Sequence, residues 1–188
     1  METAVKSPRM HDAQKTQLSK VDTCWHVPVI AALAMIPASI GFENSGFFYV
    51  GFVEEFHSSR AAAVWPGTLG SITADFSGMS YTFCNIIISH WFSVFKIANI
   101  ASCVTWVGMI ASAFAPSIPW MAVTFGVIYG IGLGTFTISL GIIVMMFFDK
   151  YRGIAHGIKF AGFSLSSLLF AQILVLMQET YAFRGTLL

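Results

Sequence analysis

The sequence predicts an all-α, polytopic membrane protein, and three observations lead to this fold class. Of 188 residues, 56% are hydrophobic and only 10% are charged, whereas soluble domains carry about 25% charged residues. The mean hydropathy is +0.73. The apolar residues form long runs without charge, unlike the alternating pattern of membrane β-barrels. A soluble globular domain and a disordered chain are therefore excluded.

The same composition argues against several other classes of protein. A formal net charge of +1 is too balanced for a nucleic-acid partner. Cys24, Cys84 and Cys103 form no CxxC motif, and the histidines show no HxxxH or HExxH spacing. The sequence also contains no GxSxG, Walker or dinucleotide-binding motif. We therefore predict no catalytic residues, no metal, no cofactor and no enzymatic activity.

Five complete spans are predicted after a polar tail. The tail, residues 1–22, is mixed in charge and lacks the apolar core of a signal peptide. A spanning helix needs about 20 apolar residues, so the uncharged stretch between Lys96 and Asp149 holds two spans, divided by Pro116 and Pro119. The predicted membrane domain is 23–188, with spans at 25–50, 61–89, 96–114, 119–148 and 154–178 and the start of a sixth at 184–188.

The basic residues predict which ends of the spans face the cytoplasm. Eight of the ten Lys and Arg residues lie in the tail or in the loops after the second and fourth spans. By the positive-inside rule, these segments are cytoplasmic. Only Arg60 and Arg184 lie on the other side. The eight cytoplasmic residues are Lys6, Arg9, Lys15, Lys20, Lys96, Lys150, Arg152 and Lys159.

Three polar residues within the spans are candidates for a substrate pathway: Glu43, Asn44 and Asp75. A carboxylate at the bilayer centre costs about 2.5–3.5 kcal/mol, so such groups usually face a cavity or a partner. The alternatives are that Glu43 is hydrated near the outer interface and that Asp75 is satisfied by neighbouring hydroxyls. No basic residue is expected at mid-membrane depth to pair with either acid.

Glycines in the fourth span repeat at a spacing that permits close helix packing. Gly126, Gly130 and Gly134 form two overlapping GxxxG motifs. Packing inside the protein is favoured over homodimerisation.

The most distinctive stretch follows the fourth span, where a charged turn leads into a helix rich in small residues. This stretch, 147–162, resembles the motif of the monocarboxylate-transporter family of the major facilitator superfamily, with an aromatic pair, a basic turn and a Leu-Ala-x-Gly sequence before an Ala-Gly pair. Stretches at 51–65, 129–134 and 181–185 resemble other parts of that family in the same order. The residues that hold the motif are Phe147, Phe148, Asp149, Lys150, Arg152, Ala155, Gly157, Ala161 and Gly162, with Arg184 and Gly185 in the last stretch.

The sequence departs from the family at three places, one of which is the loop after the second span, where residues 91–95 replace the family's Arg-Phe-Gly-Cys-Arg stretch. Of the family's Asp-Gly-Gly-Trp-Gly-Trp opening, only Asp22 and Trp25 are kept. Asn44 stands where the lactate carriers of the family have a basic residue. We therefore expect poor proton-coupled lactate transport and a substrate that is neutral, zwitterionic, cationic or a bulkier acid.

The resemblance implies the N-terminal half of a transporter that carries a small organic solute by alternating access. Its expected surroundings are the bilayer of the plasma membrane, a C-terminal half that is missing here and an accessory membrane glycoprotein. The loop after the fourth span is expected to act as a structural hinge between helices rather than as a substrate site, and Gly157, Ala161 and Gly162 are expected to pack closely against a neighbouring helix. The alternative is a non-transporting accessory protein, or an inactive fragment, derived from a half-transporter.

Overall fold

The computed structural model describes residues 24–56, 59–88 and 93–186, apart from the side chains at 55, 56, 84–88, 175 and 177–186. Those residues are helical almost throughout. The elements are α1 His26–Ala38, α2 Ile40–Glu43, α3 Ser45–Phe56, α4 Arg60–Ile88, α5 Val94–Ala113, α6 Ile118–Met121, a π-helical segment Ala122–Tyr129, α7 Gly130–Phe147 and α8 Arg152–Thr186. The predicted tail lies outside the described residues.

The first predicted span, 25–50, is not one helix. It breaks at Ser39 and at Asn44, which separate α1, α2 and α3. Pro37 lies inside α1 and has no N–H to donate, which weakens the helix just before the first break. Ser39 Oγ donates to the Met35 carbonyl at 2.7 Å, and Asn44 Nδ2 donates to the Ile40 carbonyl at 3.0 Å. Side chains thus satisfy backbone carbonyls at both breaks.

The remaining predicted spans agree with the helices to within a few residues at most ends. The fourth corresponds to α6, the π-helical segment and α7 in unbroken succession. The fifth extends further than predicted, because α8 continues through Arg184 to Thr186. The predicted start of a separate sixth helix at Arg184 is therefore wrong for the residues that the structure describes.

Three helical stretches in the described residues are long and apolar enough to cross a membrane: Val94–Ala113, Ile118–Phe147 and Arg152–Leu174. The predicted count of five spans and part of a sixth is not confirmed. The break at Ser39 leaves α1 with 13 residues, shorter than the thickness of a bilayer requires. Hydroxyl groups and Asp75 reduce the apolar character of α4.

The fourth span lies at the centre of the bundle. Its π-helical segment and α7 pack between α4 on one side and α5 on the other, while α8 packs mainly against α1. The predicted glycine stripe faces α4. A Cβ at Gly130 would lie 2.7 Å from the Gly70 carbonyl oxygen, and one at Gly126 would lie 3.1 Å from that of Pro66. A Cβ at Gly134 would collide with the backbone of Ala74. These helices touch at distances that only glycine allows.

Large apolar side chains cover much of the outer surface of the bundle. Ile30, Leu33, Trp106, Val107 and Leu168 are all exposed. Soluble monomers rarely expose so much apolar surface to water, whereas lipid tails solvate it. The fold is thus that of a helical membrane protein.

Candidate functional site

A cavity of about 270 Å³ lies where α2, α4, α7 and α8 meet. It adjoins the middle of α4, and its wall is mostly apolar. A single carboxylate, that of Asp75, belongs to this lining. The lining residues are Phe42, Ala74, Asp75, Gly78, Met79, Leu133, Gly134, Thr137, Ile138, Phe160 and Phe163.

Asp75 is held at this cavity by hydrogen bonds on either side of it along α4. Thr73 Oγ1 donates to the Gly126 carbonyl at 2.7 Å, and Ser77 Oγ donates to the Ile131 carbonyl at 3.2 Å. Both bonds join α4 to the fourth span. They fix the rotation of α4, and the side chain of Asp75 is exposed at the cavity as a result.

The break in the first span supplies one wall of the cavity through Phe42. The aromatic rings of Phe42 and Phe163 meet edge to face, with 5.9 Å between their centroids. Glu43 and Asn44 follow directly but are not among the lining residues. Glu43 is half-buried, and Asn44 is 6% exposed with its amide turned to its own backbone. Of the three candidate pathway residues, the cavity therefore contains Asp75 and adjoins the other two.

The expectation that no basic residue lies at mid-membrane depth is not supported by the position of Lys159. Lys159, predicted to lie in the loop after the fourth span, is 2% exposed within α8. Its Nζ donates to the Thr137 carbonyl at 3.3 Å and lies 4.2 Å from the centroid of the Phe160 ring. Thr137 lies ten residues before Phe147, the end of α7. At about 1.5 Å per residue, the residue that accepts the hydrogen bond lies about 15 Å along the helix from the end of α7.

The turn after the fourth span packs against the beginning of the first helix. The Trp25 ring meets the buried Phe148 ring edge to face, with 5.2 Å between centroids. Arg152 Nη2 forms an ion pair with Asp149 at 3.0 Å, and its Nε donates to the Phe148 carbonyl at 2.9 Å. Lys150 Nζ lies 5.3 Å from the Tyr151 ring centroid. Two stretches that resemble the family in sequence, around Trp25 and Phe148, are thus in contact.

The small residues of α8 divide into two groups. Ala155 is fully buried, and a Cβ at Gly162 would lie 2.7 Å from the Cα of Ala32 in α1. Ala161 is exposed, and a Cβ at Gly157 would meet nothing within 4 Å. The expectation that Gly157 and Ala161 pack closely against a neighbouring helix is therefore wrong for the described residues. Arg184 and Gly185 lie in the last turns of α8. Asp22 lies outside the described residues.

Sequence reasoning missed Tyr129 and Lys159. Tyr129 begins the family-like stretch 129–134, but no role is predicted for its hydroxyl, although a phenol in an apolar span usually finds a hydrogen-bond partner. Lys159 directly precedes a long apolar run, and its side chain could have reached into the membrane. Its partners, the Thr137 carbonyl and the Phe160 ring, depend on how α7 and α8 pack.

The fold and the cavity define a class of protein: a helical membrane protein with a small, mostly apolar cavity between its spans. Comparison with known proteins shows which proteins the chain is similar to. No family model matches the chain. It is 25% identical over 150 residues to monocarboxylate transporter 9 of Pongo abelii and 27% identical over 147 residues to monocarboxylate transporter 14 of Homo sapiens. It is also 28% identical over 144 residues to monocarboxylate transporter 13 of Bos taurus.

These matches confirm the resemblance to monocarboxylate transporters. Each covers 76% of this chain. The chain spans about a quarter to a third of the length of these relatives, 27% of the first two and 33% of the third.

Proposed function

We propose that this chain is the N-terminal part of a transporter that moves a small organic solute across a membrane by alternating access. The cavity around Asp75 carries the proposal. It lies beside the middle of α4 and between several spans, which is where substrates bind in transporters of this architecture. The names of the similar proteins support a transport function as well.

In this proposal, Asp75 is a residue of the substrate pathway, and Glu43 and Asn44 line its continuation at the break in the first span. The break is a discontinuous helix at the edge of the cavity, a device that transporters use near their substrates. Phe42 links the two regions, because it lines the cavity and directly precedes Glu43.

The remaining parts of the proposal follow from charge and from the resemblance. The basic residues favour a cytoplasmic N-terminus, and the resemblance favours the plasma membrane, a C-terminal half and an accessory membrane glycoprotein. The contact between Trp25 and Phe148, together with the pair Asp149–Arg152, gives the turn after α7 a fixed structure. We therefore assign it a structural role at the cytoplasmic ends of the first and fourth spans.

Uptake by the complete gene product tests the transport function. A pool of labelled organic solutes is offered to cells or proteoliposomes containing the wild-type protein, the Asp75→Asn variant or the control Glu54→Gln, in which the altered carboxylate is exposed and outside the cavity lining. Saturable uptake by the wild type and the control, and its loss in Asp75→Asn at equal membrane abundance, is the expected result. Absence of uptake of any solute by the wild type would favour a non-transporting accessory protein.

A further inference from the structure

The side chain of Lys159 is buried behind the cavity wall, since it is 2% exposed and is not itself a lining residue. Among the side chains that the structure describes, no carboxylate forms an ion pair with its ammonium group. The hydrogen bond to the Thr137 carbonyl, at 3.3 Å, is long for N–H···O. A buried ammonium with one long hydrogen bond and one aromatic face is incompletely compensated.

The two groups that hold Lys159 are both part of the cavity wall. Thr137 accepts its hydrogen bond, Phe160 lies under its ammonium, and both residues line the cavity. Asp75 lines the same cavity from α4. The cavity therefore has a carboxylate on its α4 wall and an ammonium group directly behind the wall formed by α7 and α8.

From this arrangement we infer that the cavity binds a zwitterionic solute, with its ammonium end towards Asp75 and its carboxylate end towards Lys159. The inference rests on the proposed transport function and names its substrate class. A simple anion would be repelled by Asp75, and a simple cation by Lys159. A zwitterionic solute can direct its positive charge towards Asp75 and its negative charge towards Lys159, so both interactions are attractive.

The rest of the cavity indicates the shape of that solute. Phe42 and Phe163 meet at one side, and Leu133, Met79 and Ile138 supply aliphatic surface. Such a lining favours an apolar body between the two charged ends, because apolar atoms gain free energy on leaving water. We therefore expect a compact amino acid or a similar inner salt rather than a sugar or a polyol.

The test is binding by the purified complete gene product to two sets of matched compounds. One set is γ-aminobutyrate, butyrate and butylamine, and the bulkier set is 4-(aminomethyl)benzoate, 4-methylbenzoate and 4-methylbenzylamine. Within each set, the body is similar and the charge differs. Affinities are measured by calorimetry for the wild type, for Lys159→Met, which keeps the apolar stem, and for Asp75→Asn. Uptake of the same compounds is measured in proteoliposomes.

The wild type is expected to bind the zwitterion of at least one set about tenfold more tightly than the anion or the cation, a difference equivalent to about 1.4 kcal/mol. Lys159→Met should lose this preference by gaining relative affinity for the amine, and Asp75→Asn by gaining relative affinity for the acid. A merely structural lysine would not change the order of affinities in this way.

The inference is overturned if the wild type binds none of the compounds, if it prefers the anion or the cation, or if both variants keep the wild-type order. Zwitterion binding without uptake in proteoliposomes contradicts the transport function while leaving the charge pair intact. Uptake of other solutes without zwitterion binding contradicts the charge pair and leaves transport intact.

Discussion

The hydroxyl of Tyr129 donates a hydrogen bond to the carbonyl of Ala38, at 3.0 Å. The same oxygen accepts a hydrogen bond from the backbone N–H of Phe42, at 3.2 Å. One side chain from the π-helical segment therefore bonds to both helix ends at the break at Ser39, sharing the Phe42 N–H with the Ser39 carbonyl, which lies at 3.1 Å. The ring of Tyr129 is 2% exposed and stacks on Phe125 with 5.1 Å between centroids. The break in the first span is thus built into the packing of the fourth.

The first prediction concerns this hydroxyl. Tyr129→Phe leaves the ring in place but removes the hydroxyl that donates to the buried Ala38 carbonyl, while the Phe42 N–H keeps its bond to the Ser39 carbonyl, at 3.1 Å. Unsatisfied buried groups cost about 1–3 kcal/mol, so the melting temperature of the purified protein should fall by several degrees. Tyr49→Phe is the matched control, because the Tyr49 hydroxyl makes no hydrogen bond among the described residues. Equal melting temperatures for the two variants would show that Tyr129 does not stabilise the break.

A second prediction separates two glycines of α8. Gly162→Leu should sharply reduce folded protein in the membrane, because even a Cβ there would meet the backbone of Ala32. Gly157→Leu should have little effect, because the space around Gly157 is open. Fluorescence-detected size-exclusion chromatography of both variants measures the folded fraction. Similar losses in both would mean that the contact with α1 does not account for the effect, since Gly→Leu raises helix propensity at both positions.

A third prediction concerns the glycine stripe of the fourth span. Gly134→Leu should prevent α4 from packing against α7, since a Cβ there would already collide with Ala74. The folded yield should fall, and the oligomeric state of what remains should be unchanged. A well-folded variant that changes only from dimer to monomer would instead assign the stripe to homodimerisation.

A fourth prediction concerns topology. In a background without native cysteines, Ser59→Cys should react with an impermeant thiol reagent from outside intact cells, and Arg152→Cys should react only after permeabilisation. Both positions are exposed, so burial does not confuse the result. The opposite pattern of labelling would reverse the orientation inferred from the basic residues.

The sequence was sufficient to predict the long helices, because α4 and α5 coincide with apolar runs that hold few charged residues and α7 with a run that holds none. The interruption of the first span was not predicted. Pro37 gave a local signal, but the break also depends on Tyr129, which lies 91 residues from Ala38 in the chain. The hydrogen bonds from the helix ends at Ala38 and Phe42 to Tyr129 depend on tertiary packing, which local sequence patterns do not predict.

Of the site, Asp75 was identified because an acid within an apolar run is costly and therefore conspicuous. The depth of Lys159 was not identified, because a lysine at the edge of an apolar run is usually counted with the loop. Only the packing of α7 against α8 shows that its amine extends to the Thr137 carbonyl. The same packing places the ammonium group of Lys159 behind the wall of a cavity whose α4 side carries Asp75.

The central claim is that solute passes through the cavity around Asp75, and cysteine protection tests it most directly. In the complete gene product without native cysteines, Met79→Cys places a thiol at the cavity, whereas Met146→Cys places one at a similarly exposed site outside its lining; the two side chains are 62% and 60% exposed. Rates of modification by a small polar thiol reagent are measured with and without transported solute, followed by uptake. We predict that solute slows modification of Met79→Cys alone and that modification there blocks uptake. Equal rates with and without solute, together with undiminished uptake after complete modification of Met79→Cys, would contradict the claim.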